Sequence, residues 1–562
     1  MSSIFDTILK FNIKNKSHKY KFSSEILHLH FKRALEGGLE NEIIIFPSDP
    51  GRGKSKGTQI FLEKFANKEI SLEDTGIIIF LSRKEEIKEY ISGAKLSAGD
   101  FAVLDSQSPV DRVAYYGGSL CIDNAPILFV TSQLLHSRCG ESFEAFEEAF
   151  YRGKPRRLRI WDEEFLPGDI VTLSVDGLAS LRTSLRQFFP TAAALLERLE
   201  TQIREAEPGD RVMVPSIPDY NEAWRRGVIS DEQRSALEGV VGKQGVISRS
   251  LGVASIVIER RRLPADLAPL FVLDASARVS ANYDIMKSIG FAINMLPVAD
   301  YSYRNAKFRT MRLGAGRSTL SKYPSARQRV FSEVTSLLNE NPADEFMVIY
   351  NDVKAIDVVS CISAAAVNPA RLSFVKWGDH KAFNRCRHIN KVVCIGLLRY
   401  SDVGYDKLRM SCLGHDAERD AHNKVLRESE ACATMLQGFA RSNMRNGTST
   451  ECGDCEIYIV DREKKIEELL RKTFPDCEVH EWKKTHTRLA KGERHVLDYI
   501  LGQDKLRLLK GMKKSDIWRG LGMDKSNFAK ILAKPDFQVE AARRYLTIGS
   551  RIIKLDADHE GE

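Results

Sequence analysis

Apolar residues fall into two kinds of stretch along this chain, and their alternation predicts its architecture. One kind is short and nearly continuous: Ile43-Ile44-Ile45-Phe46, Gly76–Leu81, Pro126–Val130, Leu158–Trp161 and Leu270–Leu273. Such runs, bounded by turn formers, read as strands buried on both faces. The other kind is helix-periodic, as in Lys84–Ile91 (K-E-E-I-K-E-Y-I). Buried strands separated by helical segments predict a doubly wound parallel sheet, whose functional loops follow the strand C-termini.

The pattern changes between residues 166 and 263. L-A-S-L-R-T-S-L-R-Q-F-F and T-A-A-A-L-L-E-R-L-E-T-Q-I-R-E are amphipathic at helical spacing, which predicts a helical insertion. The sheet resumes at Leu270–Leu273 and runs into Asp274-Ala275-Ser276-Ala277-Arg278. A second α/β unit follows Tyr323, with strands at Phe346–Tyr350, Lys391–Gly396 and Glu456–Val460. Its helices fall at Ala326–Leu338, Asp416–Met435 and Lys464–Thr473. The expected domains are an N-terminal extension (1–40), a first α/β domain (41–165 and 264–320), the insertion (166–263), a second α/β domain (321–480) and a small helical domain (481–562). A chain of 562 residues exceeds what one hydrophobic core usually supports, which agrees with several domains.

Composition adds class and location. With 43% hydrophobic and 28% charged residues, the chain reads as globular. No apolar run is long enough to cross a bilayer, and Met1–Tyr20 lacks the apolar core of a signal peptide, so a cytoplasmic location is expected. Ten scattered cysteines fit a reducing compartment. Cys452, Cys455, Cys477 and His480 have spacing that could hold zinc. However, Cys455 opens a strand-like segment and Cys477 follows a helix, so Mg²⁺ is the metal expected. Charge is uneven: Glu481–Lys554 carries 18 Lys/Arg against 8 Asp/Glu, while the whole chain is +8. The excess therefore sits in the C-terminal block and suggests a polyanionic partner.

The chemistry lies at two strand ends. Ile43–Phe46 delivers the chain into Ser48-Asp49-Pro50-Gly51-Arg52-Gly53-Lys54-Ser55, followed by a helix-competent segment. A glycine-bearing loop of this kind wraps backbone N–H groups around a polyphosphate, aims a lysine at its β/γ oxygens and offers a hydroxyl to Mg²⁺. Ser48 stands where the usual G-x-x-x-x-G-K-[ST] pattern has its first glycine, but a variant with glycines at the fourth and sixth positions fits. Pro50, Gly51, Arg52, Gly53, Lys54 and Ser55 are the nucleotide-binding candidates. The second strand end, Leu158-Arg159-Ile160-Trp161, runs into Asp162-Glu163-Glu164. There the first acid can hold Mg²⁺ through water, and the second can orient and deprotonate an attacking water. Ser55 and Asp162 are the metal candidates, Glu163 the base, and together with Lys54 they form one expected NTPase site. Ser82, Arg83, Thr131 and Ser132 end other strands and are candidates for contact with a nucleic-acid backbone.

In the C-terminal block, Lys514–Leu532 has helix-turn-helix spacing. A first helix ends at Leu521-Gly522-Met523, and Asp524 or Ser526 caps a second helix with Lys525, Asn527 and Lys530 on its polar side. These three residues are DNA-binding candidates; a protein-docking role is the alternative.

Taken in order, these motifs resemble a superfamily 2 helicase motor of the DEAD/DEAH type over roughly Glu42–Thr473. Ser48–Ser55 looks like motif I, Phe80–Arg83 like motif Ia, and Thr131–Gln133 like the motif before the acidic box. Asp162-Glu163-Glu164-Phe165 looks like the acidic box, Leu273–Ala277 like motif III and Trp377–Asn384 like motif V. Gln437–Arg445 is similar to motif VI, Q-x-x-x-R-x-x-x-R, whose arginines reach across a cleft to the γ-phosphate in that superfamily. The resemblance implies two RecA-like P-loop NTPase domains, ATP and Mg²⁺, catalytic roles for Gln437, Arg441 and Arg445, and ATP-driven movement on nucleic acid, DNA more than RNA. Single strand would occupy the motor and duplex the C-terminal domain. Departures from the pattern disfavour a conventional DEAD-box RNA helicase, because the box ends in Glu164 and Phe165 and no Q motif precedes the loop. Only Cys121 and Cys139 lie between loop and box, so an iron–sulfur cluster is not expected. A viral-type DNA-packaging ATPase and an NTPase-switched DNA-binding regulator are the competing readings.

Overall fold

The structure, a computed structural model, describes residues 21–70, 74–250, 252–298, 300–379, 385–414, 419–482 and 489–555. The chain divides into two compact units, one holding residues 1–300 and 399–433, the other 301–398 and 434–562.

The first unit is built on a seven-stranded parallel sheet. Strands β1 (Ile43–Ile45), β2 (Ile77–Leu81), β3 (Phe101–Leu104), β4 (Ile127–Thr131) and β5 (Leu158–Asp162) precede the insertion. The insertion's own strands are β6 (Gly168–Ser174), β7 (Arg211–Met213), β8 (Gln244–Ser250) and β9 (Val253–Arg262). The main sheet then resumes with β10 (Leu270–Leu273) and β11 (Ile293–Met295), in the order β11-β1-β10-β5-β2-β4-β3. Alternate strand residues feed two cores. Ile43, Ile45, Ile78 and Phe80 pack on one face, and Ile44, Phe46, Ile77 and Ile79 on the other. Burial on both faces explains why these strands read as continuous apolar runs.

Two expectations change here. The N-terminal extension contributes a helix, Lys21–Leu35, whose Leu27, Phe31 and Leu35 are fully buried in the core that holds Ile44 and Phe46. Phe31 packs edge-on against Phe61 and Phe271, with ring centroids 5.2 and 5.1 Å apart. The insertion is not wholly helical either: β6-β9-β8-β7 form an antiparallel sheet. The helices Val175–Leu185 and Pro190–Glu205 pack their apolar stripes onto Ile247, Ile256 and Ile258 of that sheet. Its strands were hidden because polar residues interrupt their apolar positions, leaving the stronger helical periodicity of the flanking helices to dominate.

The second unit is a six-stranded parallel sheet of β12 (Ala306–Met311), β13 (Phe346–Tyr350), β14 (Leu372–Lys376), β15 (Lys391–Ile395), β16 (Cys455–Val460) and β17 (Glu478–Glu481), ordered β14-β13-β15-β16-β12-β17. The expected boundary at residue 320 therefore lies too late: β12 pairs with β16 and β17, so the chain has already entered the second sheet. A strand's sheet is set by distant partners, which local sequence does not reveal.

The C-terminal block contains helices and three short antiparallel strands, β18 (Met512–Lys513), β19 (Leu546–Ile548) and β20 (Ile552–Leu555), so it too is not purely helical. Two doubly wound parallel α/β sheets are thus the frame of the molecule, as the RecA-like expectation requires. Among the described residues, no helix is long and apolar enough to cross a membrane.

Candidate functional site

In a parallel sheet all strand C-termini open on one edge, and at that edge of the first unit the predicted residues gather. Strands β1 and β5 flank β10, with Ile45 beside Val272 and Leu273 beside Asp162. The phosphate-type loop and the acidic box are therefore separated by one strand.

The loop takes its shape from Gly51 and Gly53, at φ 79° and 84°, a left-handed conformation that side chains resist. Lys54 opens helix α1 (Lys54–Ala66), whose first-turn N–H groups face the loop. The Lys54 ammonium folds back onto the Ser48 carbonyl and, at 3.4 Å, the Asp49 carbonyl. Asp49 and Arg52 are both buried. Asp49 accepts two hydrogen bonds from Arg278, at 2.7 and 3.0 Å, which ties the loop to the segment after β10.

The acidic box ends β5. Burial pushes the Asp162 carboxyl up to about 7. The Tyr90 hydrogen bond and the Lys54 charge oppose this, while the Glu163 and Glu86 charges add to it. Glu163 has φ 77°, a left-handed backbone for a residue with a side chain, and strain of that kind concentrates at functional sites. Glu164 accepts from the Asn282 amide, and Trp161 Nε1 donates to the Glu164 carbonyl at 3.0 Å.

Three side chains that sequence reasoning missed join these elements. Tyr90 lies on helix α2 (Lys84–Gly93) and is 3% exposed. Its hydroxyl donates to Asp162 Oδ2 at 2.7 Å. One turn earlier on α2, Glu86 accepts from Ser82 at 3.1 Å; burial first, then the Glu163 charge, push its carboxyl up. Tyr283, on helix α3 (Asn282–Ser288), donates to Asp274 Oδ2 at 2.7 Å and accepts the Phe165 N–H at 3.2 Å. Asp274 also takes bonds from the Ser276 N–H and hydroxyl at 2.7 and 2.6 Å. The Asp274–Ser276 segment is thereby bolted to the acidic box. Glu86 and Tyr90 differ by four residues and share a helix face, a signal visible only once the face's partner is known.

Ser55, in the first turn of α1, and Asp162, at the end of β5, are the candidate cation donors. Their hard oxygen donors suit Mg²⁺, so this donor set fits the expected cation. Ser82 is exposed but engaged with Glu86, Arg83 and Ser132 are half-buried, and Thr131 is buried at 9% exposure, which leaves the threonine little surface to offer.

The remaining candidates belong to the second unit, in helix α5 (Arg419–Phe439) and the turn after it. Gln437 lies near the end of α5, but the helix stops at Phe439. Arg441 therefore occupies a turn and Arg445 the short 3₁₀ segment Asn443–Asn446. All three are half-buried. Gly438 lets α5 pass over Trp377, since a Cβ there would stand 2.6 Å from the indole. Of the motif V candidates, Trp377–Asp379 are described and Trp377 donates to the Gly396 carbonyl at 2.9 Å; residues 380–384 lie outside the described residues. Cys452 and Cys455 are buried, whereas His480 is exposed and bonded to Glu478. No group of three or more His, Cys, Asp or Glu able to hold a metal occurs among the described residues.

In the C-terminal block, helix α6 (Lys514–Gly520) and helix α7 (Lys525–Ala533) are joined by a turn through Gly522. Asp524 is the cap, accepting the Asn527 N–H at 2.9 Å. Phe528, Ile531 and Leu532 are buried, while Lys525, Asn527 and Lys530 are exposed. The next helix, α8 (Pro535–Arg543), packs against helix α4 (Pro324–Glu340) of the second sheet. Arg329 of α4 also sits 5.0 Å over the Tyr545 ring.

No family model matches the sequence, and no curated protein matches it. Among solved structures, the chain is similar to an XPD structure in its apo form (TM-score 0.47, 10% identity, 81% of this chain and 99% of that one). It is also similar to Xpd4 of S. tokodaii (TM-score 0.45, 10% identity, 81% and 99%). A third similar structure is Dbp5 of S. cerevisiae bound to RNA and ADP BeF3 (TM-score 0.33, 11% identity, 80% and 88%).

Proposed function

We propose that this chain is an ATP-dependent helicase or translocase acting on nucleic acid, DNA more than RNA. The observation that carries the reading is the gathering of Lys54, Ser55, Asp162 and Glu163 at the C-terminal edge of one parallel sheet. Phosphoryl transfer requires positioned N–H donors, a cation and an oriented water at one place, and little covalent chemistry from the protein. The Gly51–Ser55 amides and Lys54 hold the phosphates, while Ser55 and Asp162 hold Mg²⁺, which when bound neutralises phosphate charge. Glu163 takes the proton from the attacking water. Arg441 and Arg445, with Gln437, are assigned by motif resemblance to the charge that develops on hydrolysis. The exposed face of α7 is assigned to duplex DNA, with Lys525 and Lys530 on phosphates and Asn527 on base edges.

The test measures ATP hydrolysis and strand separation on DNA and RNA forks of both polarities. Nucleic-acid-stimulated turnover with unwinding or directional movement supports the reading. Slow turnover with no movement on any fork overturns it in favour of a DNA-binding regulator.

A further inference from the structure

We infer that Tyr90 is a positioning residue for the divalent cation, an inference that rests on the nucleotide-site reading above. A carboxylate that ligates a metal through one oxygen is aimed by the hydrogen bond its other oxygen makes. Tyr90 Oη makes that bond: it donates to Asp162 Oδ2 at 2.7 Å. Asp162 Oδ1 is left for the cation and its waters. Packing fixes the phenol in this orientation. Tyr90 is 3% exposed, tilted against Phe129 at a centroid distance of 6.3 Å, and carried on α2 beside α1. Groups that hold metal ligands in orientation typically change metal affinity 10- to 100-fold when removed.

The experiment compares wild type with Tyr90→Phe, which keeps the ring and removes only the hydroxyl. A fluorescent ADP analogue is titrated onto each protein at a series of Mg²⁺ concentrations and also in EDTA, and the melting temperature is recorded without Mg²⁺. The expected result is a Mg²⁺ midpoint roughly 10- to 100-fold higher in the variant, with affinity in EDTA unchanged. Asp162→Asn and the double variant close the cycle: Tyr90→Phe should add less on the Asp162→Asn background than on wild type, since Tyr90 acts through that ligand. A midpoint within twofold of wild type, or equal losses with and without Mg²⁺, overturns the role of Tyr90. A wild-type protein that binds the analogue with no Mg²⁺ dependence overturns the site reading itself, and this inference with it.

Discussion

Tyr283→Phe isolates the connection between the acidic box and the segment after β10. The phenol is 1% exposed. Burial, then the Asp274 and Glu164 charges, push its pKa well up, so it stays protonated and donates. The substitution leaves ring packing intact and removes one oxygen that makes two bonds, to Asp274 Oδ2 at 2.7 Å and from the Phe165 N–H at 3.2 Å. Losing a hydrogen bond to a charged group costs about 1.5–3 kcal/mol, and stranding a buried N–H about 1–3 kcal/mol. Asp274 keeps its two bonds from Ser276, so the combined loss should fall near the low end of that range, at about 3 kcal/mol.

Two measurements read this. Urea denaturation should show the first-unit transition shifted by about that amount. Hydrogen exchange at the Phe165 amide should accelerate about 100-fold where local opening limits it, since about 1.4 kcal/mol is a factor of ten. A stability change under about 1 kcal/mol, the size of an ordinary substitution, together with unchanged exchange at Phe165, refutes the argument.

Lys54→Ala should weaken ATP binding, whereas Glu163→Gln should leave binding and abolish hydrolysis, because only the base is lost; near wild-type turnover in Glu163→Gln removes the assignment. Arg441→Ala should lower stimulated turnover by about 10³-fold with ATP affinity unchanged, read by single-turnover kinetics beside equilibrium nucleotide binding. In the full chain, Lys525→Ala with Lys530→Ala should weaken DNA binding and reduce the slope of log affinity against log salt by about 2, one per phosphate contact. An unchanged slope favours a protein-docking role for α7. The full chain is the right object, because α8 of that block packs against α4 and a fragment would expose the face.

The strand ends that carry the candidate site were legible because buried parallel strands announce themselves as apolar runs, and their exits are fixed by the sheet. Ile43–Ile45 and Leu158–Asp162 were found this way, and the loop and acids follow immediately in sequence. The two-helix segment Lys514–Ala533 was equally local: its turn, its Asp524 cap and its exposed side chains lie within one short stretch. What sequence hid was pairing at a distance. The β12 strand belongs to the second sheet through β16 and β17, and β6 finds its neighbour in β9, across the whole insertion. Gln437, Arg441 and Arg445 were placed by motif resemblance alone, and only the structure shows that α5 stops at Phe439 and leaves the arginines on a turn and a 3₁₀ segment.

Tyr90 and Tyr283 show why a site's ligands are easier to read than the groups that aim them. A phosphate loop is constrained by the ligand, so its residue types recur at fixed spacing. An aiming group is constrained only by the geometry of its own fold. Tyr90 reaches Asp162 because α2 crosses the sheet edge at a particular phase, and shifting that helix by one residue would turn the phenol about 100° away. Tyr283 likewise depends on where α3 begins after Asp274. Neither tyrosine carries a sequence signature, yet each holds a carboxylate by a 2.7 Å bond. The geometry of the candidate site at this edge therefore depends on two helices whose sequences show only amphipathic packing, and substitutions along α2 and α3 should alter the site through these hydroxyls before they alter the fold.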